Sequence, residues 1–340
     1  MPKETDGSTK LTINLFEPER PQSRRPERSR RIDLSIIIVN FNTGDFLEKC
    51  LDSVNQACKT RLPDGQDLAC EVFVVDNAST DWSLKKIQNS KFKIQNLKII
   101  ENKINLGFAK ANNIALKQVK GKYILLLNPD TEVEKDTFEK MIKFMDEKKE
   151  AGAATCKVIL PNGELDWASH RGFPTPWNSF SYFTRLSKIF PKSKLFAGYH
   201  QTYKNLKKVH EISSPSGTFY MVRKEVVDKI GLLDEDYFMF GEDLDWSYRI
   251  KQAGYKIFYT TIAKVLHYKG IASGIKEHSF KISPATYKTR MKAAESFYDT
   301  MKIFYEKHYQ EKYPKFIKWL TFLGIDLLKN RRLAKLQGIA

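Results

Sequence analysis

Short apolar runs alternate with segments of helical periodicity through the first half of the chain. Residues 34–40, 71–75 and 123–127 are almost continuously apolar, a pattern typical of strands buried on both faces of a parallel sheet. A weaker run at 97–100 predicts one more strand. The predicted helices lie at 44–54, 109–119 and 134–148. This alternation predicts an α/β fold with a Rossmann-like, open and mostly parallel sheet that is flanked by helices.

Polar side chains follow the predicted strands directly. Asn40 closes the first strand, Asp76 the second, and 128–130 (NPD) follows the strand at 123–127. In open α/β sheets, ligands bind beyond the carboxyl ends of the strands. The sequence therefore predicts a binding site at this edge of the sheet.

The composition divides the 340 residues into three predicted parts. Residues 1–31 form a basic tail that is too polar to fold. Residues 32–282 form one domain, whose donor half is 32–150 and whose acceptor and catalytic half is 151–282. Residues 283–340 form a basic, amphipathic helical extension. Its apolar stretch at 316–328 is too short to span a bilayer, which leaves packing on the domain, packing on a second subunit in a homodimer, and lying in a membrane interface as open alternatives.

Charge and cysteine content indicate the kind of partner and the cellular compartment. There are 57 basic and 40 acidic residues, a net charge of +17, which suits phosphate-bearing partners. The four cysteines lack paired CxxC spacing, which argues against a zinc ribbon or a disulfide scaffold and favours a reducing cytoplasm. No secretion signal or membrane span is predicted, so we expect a cytoplasmic protein, peripheral at most on the inner face of the membrane.

Five segments of the chain resemble family-two glycosyltransferases, especially their bacterial rhamnosyltransferase-like branch. They follow the family's order over about two thirds of the chain, which one short motif cannot do by chance. The segments are 35–42 (SIIIVNFN), 74–81 (VVDNASTD), 105–113 (NLGFAKANN), 127–131 (LNPDT) and 241–245 (GEDLD). The resemblance implies a GT-A fold and transfer of a sugar from a nucleotide diphosphate to a hydroxyl.

The first three segments would bind the donor nucleotide-sugar. The resemblance assigns Asp76 a hydrogen bond from the N3–H of a pyrimidine base, with Asn40 lining the same pocket. Helix capping near Asp76 is the structural alternative. A glycine that admits a close backbone approach, followed by a helix start that favours an anion, predicts a donor cradle. Its residues are Asn105, Gly107 and Asn112.

The fourth segment stands where the family has an Asp-X-Asp metal motif, with Asn128 in place of the first carboxylate. The resemblance implies that Asp130 ligates Mg²⁺ or Mn²⁺ on the diphosphate, and that Asn128 is a neutral ligand or a sugar contact. With one charge fewer, metal binding is expected to depend more on the substrate phosphates. His267 matches a late histidine that similar enzymes use as a further ligand, although a structural role stays open.

The fifth segment carries the predicted base. Inversion requires in-line attack, so a carboxylate must lie near the acceptor hydroxyl. By resemblance Asp243 is the base, Glu242 orients or binds the acceptor, and Asp245 is the alternative base. Carboxylates at a helix start that only offset the macrodipole are the structural alternative. Aromatic and basic residues are predicted to contact the acceptor at Trp246, Arg171 and Trp177, with core packing as the commoner use of such rings.

The resemblance implies dTDP-L-rhamnose or a UDP-sugar as donor and a saccharide or lipid-linked saccharide as acceptor, in cell-surface polysaccharide synthesis. A dehydrogenase is disfavoured because the first strand lacks G-x-G-x-x-G. The alternative function is a non-catalytic basic protein that binds membrane surfaces or nucleic acid. Because the basic residues are spread widely and no nucleic-acid motif is found, we expect no nucleic-acid partner.

Overall fold

The computed structural model describes residues 31–89, 94, 96–272, 274 and 283–338. The tail predicted for residues 1–31 lies outside the described residues, apart from Arg31. Within them, nine strands form one sheet. The strands are β1 Leu34–Asn40, β2 Cys70–Asp76, β3 Leu97–Glu101, β4 Tyr123–Leu127, β5 Thr131–Val133, β6 Ala151–Ile159, β7 His210–Ile212, β8 Phe219–Arg223 and β9 Lys256–His267.

Helices connect and cover these strands. In the described residues they are α1 Asp45–Ala57, α2 Ser83–Asn89, α3 Phe108–Leu116, α4 Thr137–Glu147, α5 Pro176–Phe183, α6 Leu186–Ile189, α7 Lys224–Ile230, α8 Glu242–Gln252, α9 Tyr287–His308 and α10 Lys315–Gln337. A short 3₁₀ helix spans Trp167–Ser169. The helix predicted at 109–119 is α3, which ends in a turn at 117–118.

The strand order is β3-β2-β1-β4-β8-β6-β9-β5, and β7 pairs with β9. Strands β1 to β4 are mutually parallel, whereas β8 is antiparallel to both β4 and β6. Strand β9 is parallel to β6, and β5 and β7 run antiparallel to β9. Six of the nine strands therefore point the same way. The predicted mixed α/β fold with a mostly parallel sheet is confirmed.

Both faces of the sheet are buried, as the apolar strand pattern predicted. In β1, Ile36 and Ile38 pack in one cluster with α1 and α4. Ile37 and Val39 point to the opposite face, where α3, α7 and α8 contribute to a second cluster. Successive strand residues face opposite sides, so only a strand covered on both faces is apolar at every position. This layered packing holds the ends of β1, β2 and β4 in register at one edge.

The two C-terminal helices pack onto α8. Leu244 and Tyr248 of α8 form a third apolar cluster with Phe304 and Tyr309, and α10 lies against α9. The described residues from Ile32 onward form one compact unit. Among the helices described, none is both long and apolar enough to cross a membrane.

Candidate active site

A large cleft opens at the carboxyl ends of β1, β2 and β4. Its volume is about 1510 Å³, which exceeds the roughly 300–1,000 Å³ of ordinary ligand pockets. Its walls come from strand ends, from the N-terminus of α8 and from the segment after β9. The chemistry-bearing residues on them include Asn77, Asn105, Asn128, Asp130, Arg171, Glu242, Asp243 and His267. The structure thus brings together most of the residues that the sequence nominated.

Asp76 and Asn40 lie behind the cleft wall. Asp76 is 2% exposed, and its Oδ1 accepts a hydrogen bond from Nδ2 of Asn40 at 2.7 Å. Its Oδ2 accepts from the backbone N–H of Ser79 at 2.9 Å. In this arrangement the two residues fix the turn that follows β2. Contact of Asp76 with a base stays a prediction.

Asn77, the next residue, lines the cleft and connects two loops. Its Nδ2 donates to Oδ1 of Asn105 at 2.9 Å and to the carbonyl oxygen of Gly107 at 3.2 Å. Its Oδ1 accepts from the backbone N–H of Leu106 at 3.0 Å. Asn77 was not predicted as a site residue, although its position directly after β2 was a signal for such a role. It holds the predicted donor loop against the end of β2.

Glycine is needed at position 107 of that loop for a different reason from the one predicted. Gly107 has φ +85°, and a Cβ there would lie 2.4 Å from the carbonyl oxygen of Phe238. The first N–H of α3, on Phe108, donates to that same oxygen at 2.7 Å, and the N–H of Gly107 donates to Asn105. The close approach is therefore made by protein backbone. The first N–H of α3 is thus occupied by protein backbone, and binding of a donor anion at this helix start stays a prediction.

Asn112 does not line the cleft. It is 1% exposed, and its Nδ2 donates to the carbonyl oxygen of Phe108 one turn earlier, at 2.8 Å. The donor contact predicted for Asn112 is corrected on this ground, because its side chain points along the buried face of α3.

Asp130 and His267 face each other inside the cleft. Nε2 of His267 lies 3.2 Å from Oδ1 of Asp130, and Nδ1 of His267 is 2.7 Å from Oδ2 of Asp166. Nε2 is buried and forms no hydrogen bond within the described residues. A carboxylate that holds the far nitrogen of a histidine is the usual support of a metal-ligating imidazole. Asp166, which no local pattern singled out, was missed by the sequence analysis.

The electrostatics of Asp130 and His267 are compatible with a role in metal binding. Burial disfavours the charged imidazolium, but the charges of Asp130 and Asp166 outweigh it and raise the pKa of His267 to about 9. Burial likewise opposes ionisation of the two carboxyls, yet His267 lowers the pKa of Asp130, and His267 with Lys269 lowers that of Asp166. The carboxylates of Asp130 and Asp166 thus stabilise the buried imidazolium of His267. The same negative charge would stabilise a divalent cation bound at this place.

The residues present fit a divalent cation that is shared with the substrate. Asp130 offers an oxygen and His267 its Nε2 nitrogen, a set compatible with Mn²⁺ or Mg²⁺. The described residues contain no group of three or more His, Cys, Asp or Glu side chains that could hold a metal. Asn128 also lines the cleft, and its Nδ2 donates to Oγ1 of Thr218 at 3.4 Å. Further ligands must therefore come from substrate or water.

Asp243 is held by an arginine from the irregular middle segment. An NH2 group of Arg171 donates to Oδ2 of Asp243 at 2.7 Å, and the N–H of Gly217 lies 3.3 Å from the same oxygen. Both side chains are nearly buried, and both line the cleft. The sequence placed Arg171 at the acceptor; the structure makes it the partner of the predicted base.

Glu242 has no such partner. It is 4% exposed, and its Oε2 forms no hydrogen bond within the described part of the chain. Burial, together with the charge of Asp243, raises the pKa of Glu242 to about 8. Glu242 is thus largely protonated at neutral pH, whereas Asp243 is held by the guanidinium of Arg171.

The two predicted acceptor tryptophans differ in position. Trp246 is fully buried, packs against Tyr220 and donates from Nε1 to the carbonyl oxygen of Gly231 at 3.0 Å. It is absent from the cleft wall, so the acceptor contact predicted for it is corrected to core packing. Trp177 is 43% exposed and lines the cleft.

Comparison with known proteins identifies the family of this chain. Residues 35–231 match the sequence model of Glycosyl transferase family 2. N-acetylglucosaminyl-diphospho-decaprenol L-rhamnosyltransferase of Mycobacterium tuberculosis is 24% identical over 256 residues, or 71% of this chain and 78% of its own. Rhamnosyltransferase WbbL of Escherichia coli is 28% identical over 243 residues, or 68% and 82%. The chain belongs to glycosyl transferase family 2 and is a glycosyltransferase, similar to rhamnosyltransferases.

Solved structures agree on the fold. Mannosyltransferase PcManGT from Pyrobaculum calidifontis, in complex with GDP-Man and Mn²⁺, is 16% identical with a TM-score of 0.53, over 94% of this chain and 77% of that one. GalNAc-T7 with UDP, GalNAc and Mn²⁺ is 18% identical with a TM-score of 0.52, over 82% and 50%. The predicted GT-A fold is confirmed, and a non-catalytic basic binder is not supported.

Proposed function

We propose that this glycosyltransferase moves L-rhamnose from dTDP-L-rhamnose to a hydroxyl of a lipid-linked saccharide, with inversion at the anomeric carbon. The observation that carries the proposal is that Asp243, Asp130 and His267 line one cleft at the strand ends. A UDP-sugar is the second donor candidate. In this proposal residues 32–150 bind the donor, and residues 151–282 bind the acceptor and supply the base.

In the transfer step Asp243 accepts the proton of the acceptor hydroxyl. The oxygen of that hydroxyl bonds to the anomeric carbon as the bond from that carbon to the diphosphate oxygen breaks, and the electron pair leaves with the diphosphate. In-line attack from the opposite side inverts the configuration. Arg171 fixes the direction of Oδ2 of Asp243, since its donor lies only 2.7 Å away.

Glu242 has a supporting role in this step. Its raised pKa keeps the carboxyl largely protonated at neutral pH, so it can donate a hydrogen bond to an acceptor oxygen while Asp243 accepts one. Two ionised carboxyls side by side would repel each other, and neither could donate a hydrogen bond to the acceptor. In this proposal Glu242 is the hydrogen-bond donor and Asp243 is the base.

On the donor side, Asp130 and His267 would hold a divalent cation, Mn²⁺ or Mg²⁺. Bound there, it would neutralise charge on the diphosphate leaving group. Asp166 orients the imidazole through Nδ1, and Asn128 lies beside Asp130 with an amide that can contact the sugar. Asn77 keeps the loop of Asn105 against the strand end.

The relatives support the choice of substrates. The mycobacterial relative is named for transfer of L-rhamnose to N-acetylglucosaminyl-diphospho-decaprenol, and the second relative is also a rhamnosyltransferase. Both align over more than three quarters of their own length. We infer a role in cell-surface polysaccharide synthesis at the cytoplasmic face of the membrane.

The test is a donor panel with dTDP-L-rhamnose, UDP-glucose and UDP-N-acetylglucosamine, each with Mn²⁺ and with Mg²⁺, on an N-acetylglucosaminyl-diphospho-lipid acceptor. We expect rhamnosyl transfer, with a product anomer opposite to the donor's by NMR. Asp243→Asn should lower kcat by about 10²- to 10⁴-fold, the usual share of a general base. Calorimetry should show unchanged affinity for dTDP. Full transfer by this variant would refute the base assignment.

A further inference from the structure

One face of the C-terminal helix α10 is apolar and exposed. Its members fall within about 100° of the helix circumference, so they form one stripe about 16 Å long, given a rise of 1.5 Å per residue. Trp319 is 63% exposed and Leu327 62% exposed. The stripe consists of Phe316, Trp319, Leu320, Leu323 and Leu327.

The opposite face of the same helix is already packed. Ile325 is 7% exposed and Leu336 4% exposed, and Phe322 contacts Tyr305 of α9. By helical geometry these three residues lie on the side away from the stripe. The stripe is therefore not the surface that anchors α10 to its own domain.

A second exposed apolar surface lies across the cleft, on α5, α6 and the segment that follows α6. Phe180 is 53% exposed, Ile189 65% and Leu195 59%. Phe180 of this surface and Leu320 of the stripe line the same cavity, which also contains Asp243. Two apolar rims thus flank the mouth of the catalytic cleft.

Basic residues predominate around both rims. Helix α10 carries six basic residues and one acidic residue, Asp326. Residues 176–200 carry Arg185, Lys188, Lys192 and Lys194 and no acidic residue. Lys188, Lys192 and Lys194 are exposed. Exposed apolar side chains bordered by basic ones, with tryptophan among them, are the composition of surfaces that lie in a membrane interface.

We propose that the two rims seat the enzyme on an anionic lipid bilayer, with the mouth of the cleft facing the membrane. The apolar side chains enter the interface, and the lysines contact anionic headgroups. This membrane placement, the seat, rests on the proposed function, because a lipid-linked acceptor would then enter the cleft directly from the bilayer. Bilayer binding itself requires no donor and no catalysis.

The test uses the full chain and vesicles of phosphatidylglycerol and phosphatidylcholine, scored by flotation. We expect Phe316→Ser/Trp319→Ser/Leu323→Ser to lower the partition coefficient at least tenfold, and neutral phosphatidylcholine vesicles to bind more weakly than anionic ones. The matched control is Trp82→Ser, since Trp82 is 71% exposed and does not line the cleft. Equal flotation of the triple variant and the wild type would overturn the proposal.

Tryptophan fluorescence tests the same proposal with single Trp→Phe substitutions, which disturb folding less than the triple variant. Brominated lipids in the vesicles should quench the wild type, quench Trp319→Phe less, and quench Trp82→Phe as the wild type. Unchanged quenching in Trp319→Phe would count against the seat. If ultracentrifugation shows a dimer that the triple variant abolishes, and vesicles do not bind, the stripe is a subunit interface and the proposal is wrong.

Transfer assays separate this proposal from the proposed function. With a soluble, lipid-free saccharide acceptor the triple variant should keep wild-type rates, while transfer to acceptor embedded in vesicles should fall with the partition coefficient. If no donor supports transfer but vesicles still bind, the proposed function fails and the seat stands.

Discussion

Nε2 of His308, near the end of α9, lies 2.8 Å from Oδ1 of Asp245 in α8, and both side chains are almost buried. Asp245 also receives the guanidinium of Arg249 at 2.7 Å. Burial opposes ionisation of Asp245, but His308 and Arg249 outweigh it and lower its pKa. Asp245 is thus a structural anchor, which removes it as the alternative base. The C-terminal helices hold the helix that presents Glu242 and Asp243.

We predict that His308→Leu lowers the free energy of unfolding by about 1–3 kcal/mol, because it removes one partner from a buried carboxylate. Urea unfolding measures the change. His308→Gln keeps a donor and should restore part of the loss. Lys224→Ala, which removes a surface pair with Asp228, should change stability by less than about 1 kcal/mol. A loss for Lys224→Ala as large as that for His308→Leu would contradict the anchoring role.

The raised pKa of Glu242 makes a prediction about stability and pH. Between the ordinary pKa of 4.5 and the native value of about 8, the native state retains a proton that the unfolded chain releases. Stability contributed by this group is therefore full below pH 4.5 and declines as the pH rises to about 8. Above that the penalty is constant, because both states are ionised.

Glu242→Gln should remove this penalty. The difference in unfolding free energy between variant and wild type should shift in favour of the variant by on the order of 4–5 kcal/mol from pH 4.5 to pH 8.5, at about 1.4 kcal/mol per unit of pKa. Comparing the two pH values cancels any fixed cost of the buried amide. Urea unfolding at both pH values provides the measurement, and a difference that does not depend on pH would show that Glu242 has an ordinary pKa.

The donor side of the site was largely visible in the sequence. Buried parallel strands have a distinctive apolar pattern, and their polar last residues must converge at one edge, so Asp130 and Asn128 could be located before the fold was known. The order of the later strands could not, because β8 inserts between β4 and β6 by pairings that are distant in the chain.

The sequence did not reveal which residues support His267 and Asp243. Asp166 reaches His267 across 101 residues, and Arg171 reaches Asp243 across 72, so no local spacing reveals either contact. Trp246 was different, because a signal existed. Ile250 lies four residues on, so the two share one apolar face of α8, which indicated core packing.

The support of His267 by Asp166 leads to a prediction on metal dependence. Asp130→Ala should abolish the strengthening of nucleoside diphosphate binding by Mn²⁺, measured by calorimetry. Asp166→Asn should weaken that effect by about 10–100-fold, since losing the hydrogen-bond partner of a metal-bound histidine has this typical cost. Glu132→Ala is the matched control, because this nearby carboxylate accepts from Tyr268 and does not line the cleft. Unchanged Mn²⁺ dependence in Asp130→Ala would refute its role as a ligand.

A comparison of Gly107 with Gly163 separates the energetic cost of a close contact from the cost of backbone strain. A Cβ at this position would meet the carbonyl oxygen of Phe238 at 2.4 Å, whereas Gly163 has a similar φ of +82° with nothing within 4 Å of a Cβ. We predict that Gly163→Ala costs only the backbone strain, about 1–3 kcal/mol, and that Gly107→Ala costs more by urea unfolding. Only Gly107→Ala should also weaken binding of the nucleoside diphosphate, because it moves the loop of Asn105. Equal costs and equal affinities would mean that the loop yields to the added methyl group without disturbing the cleft.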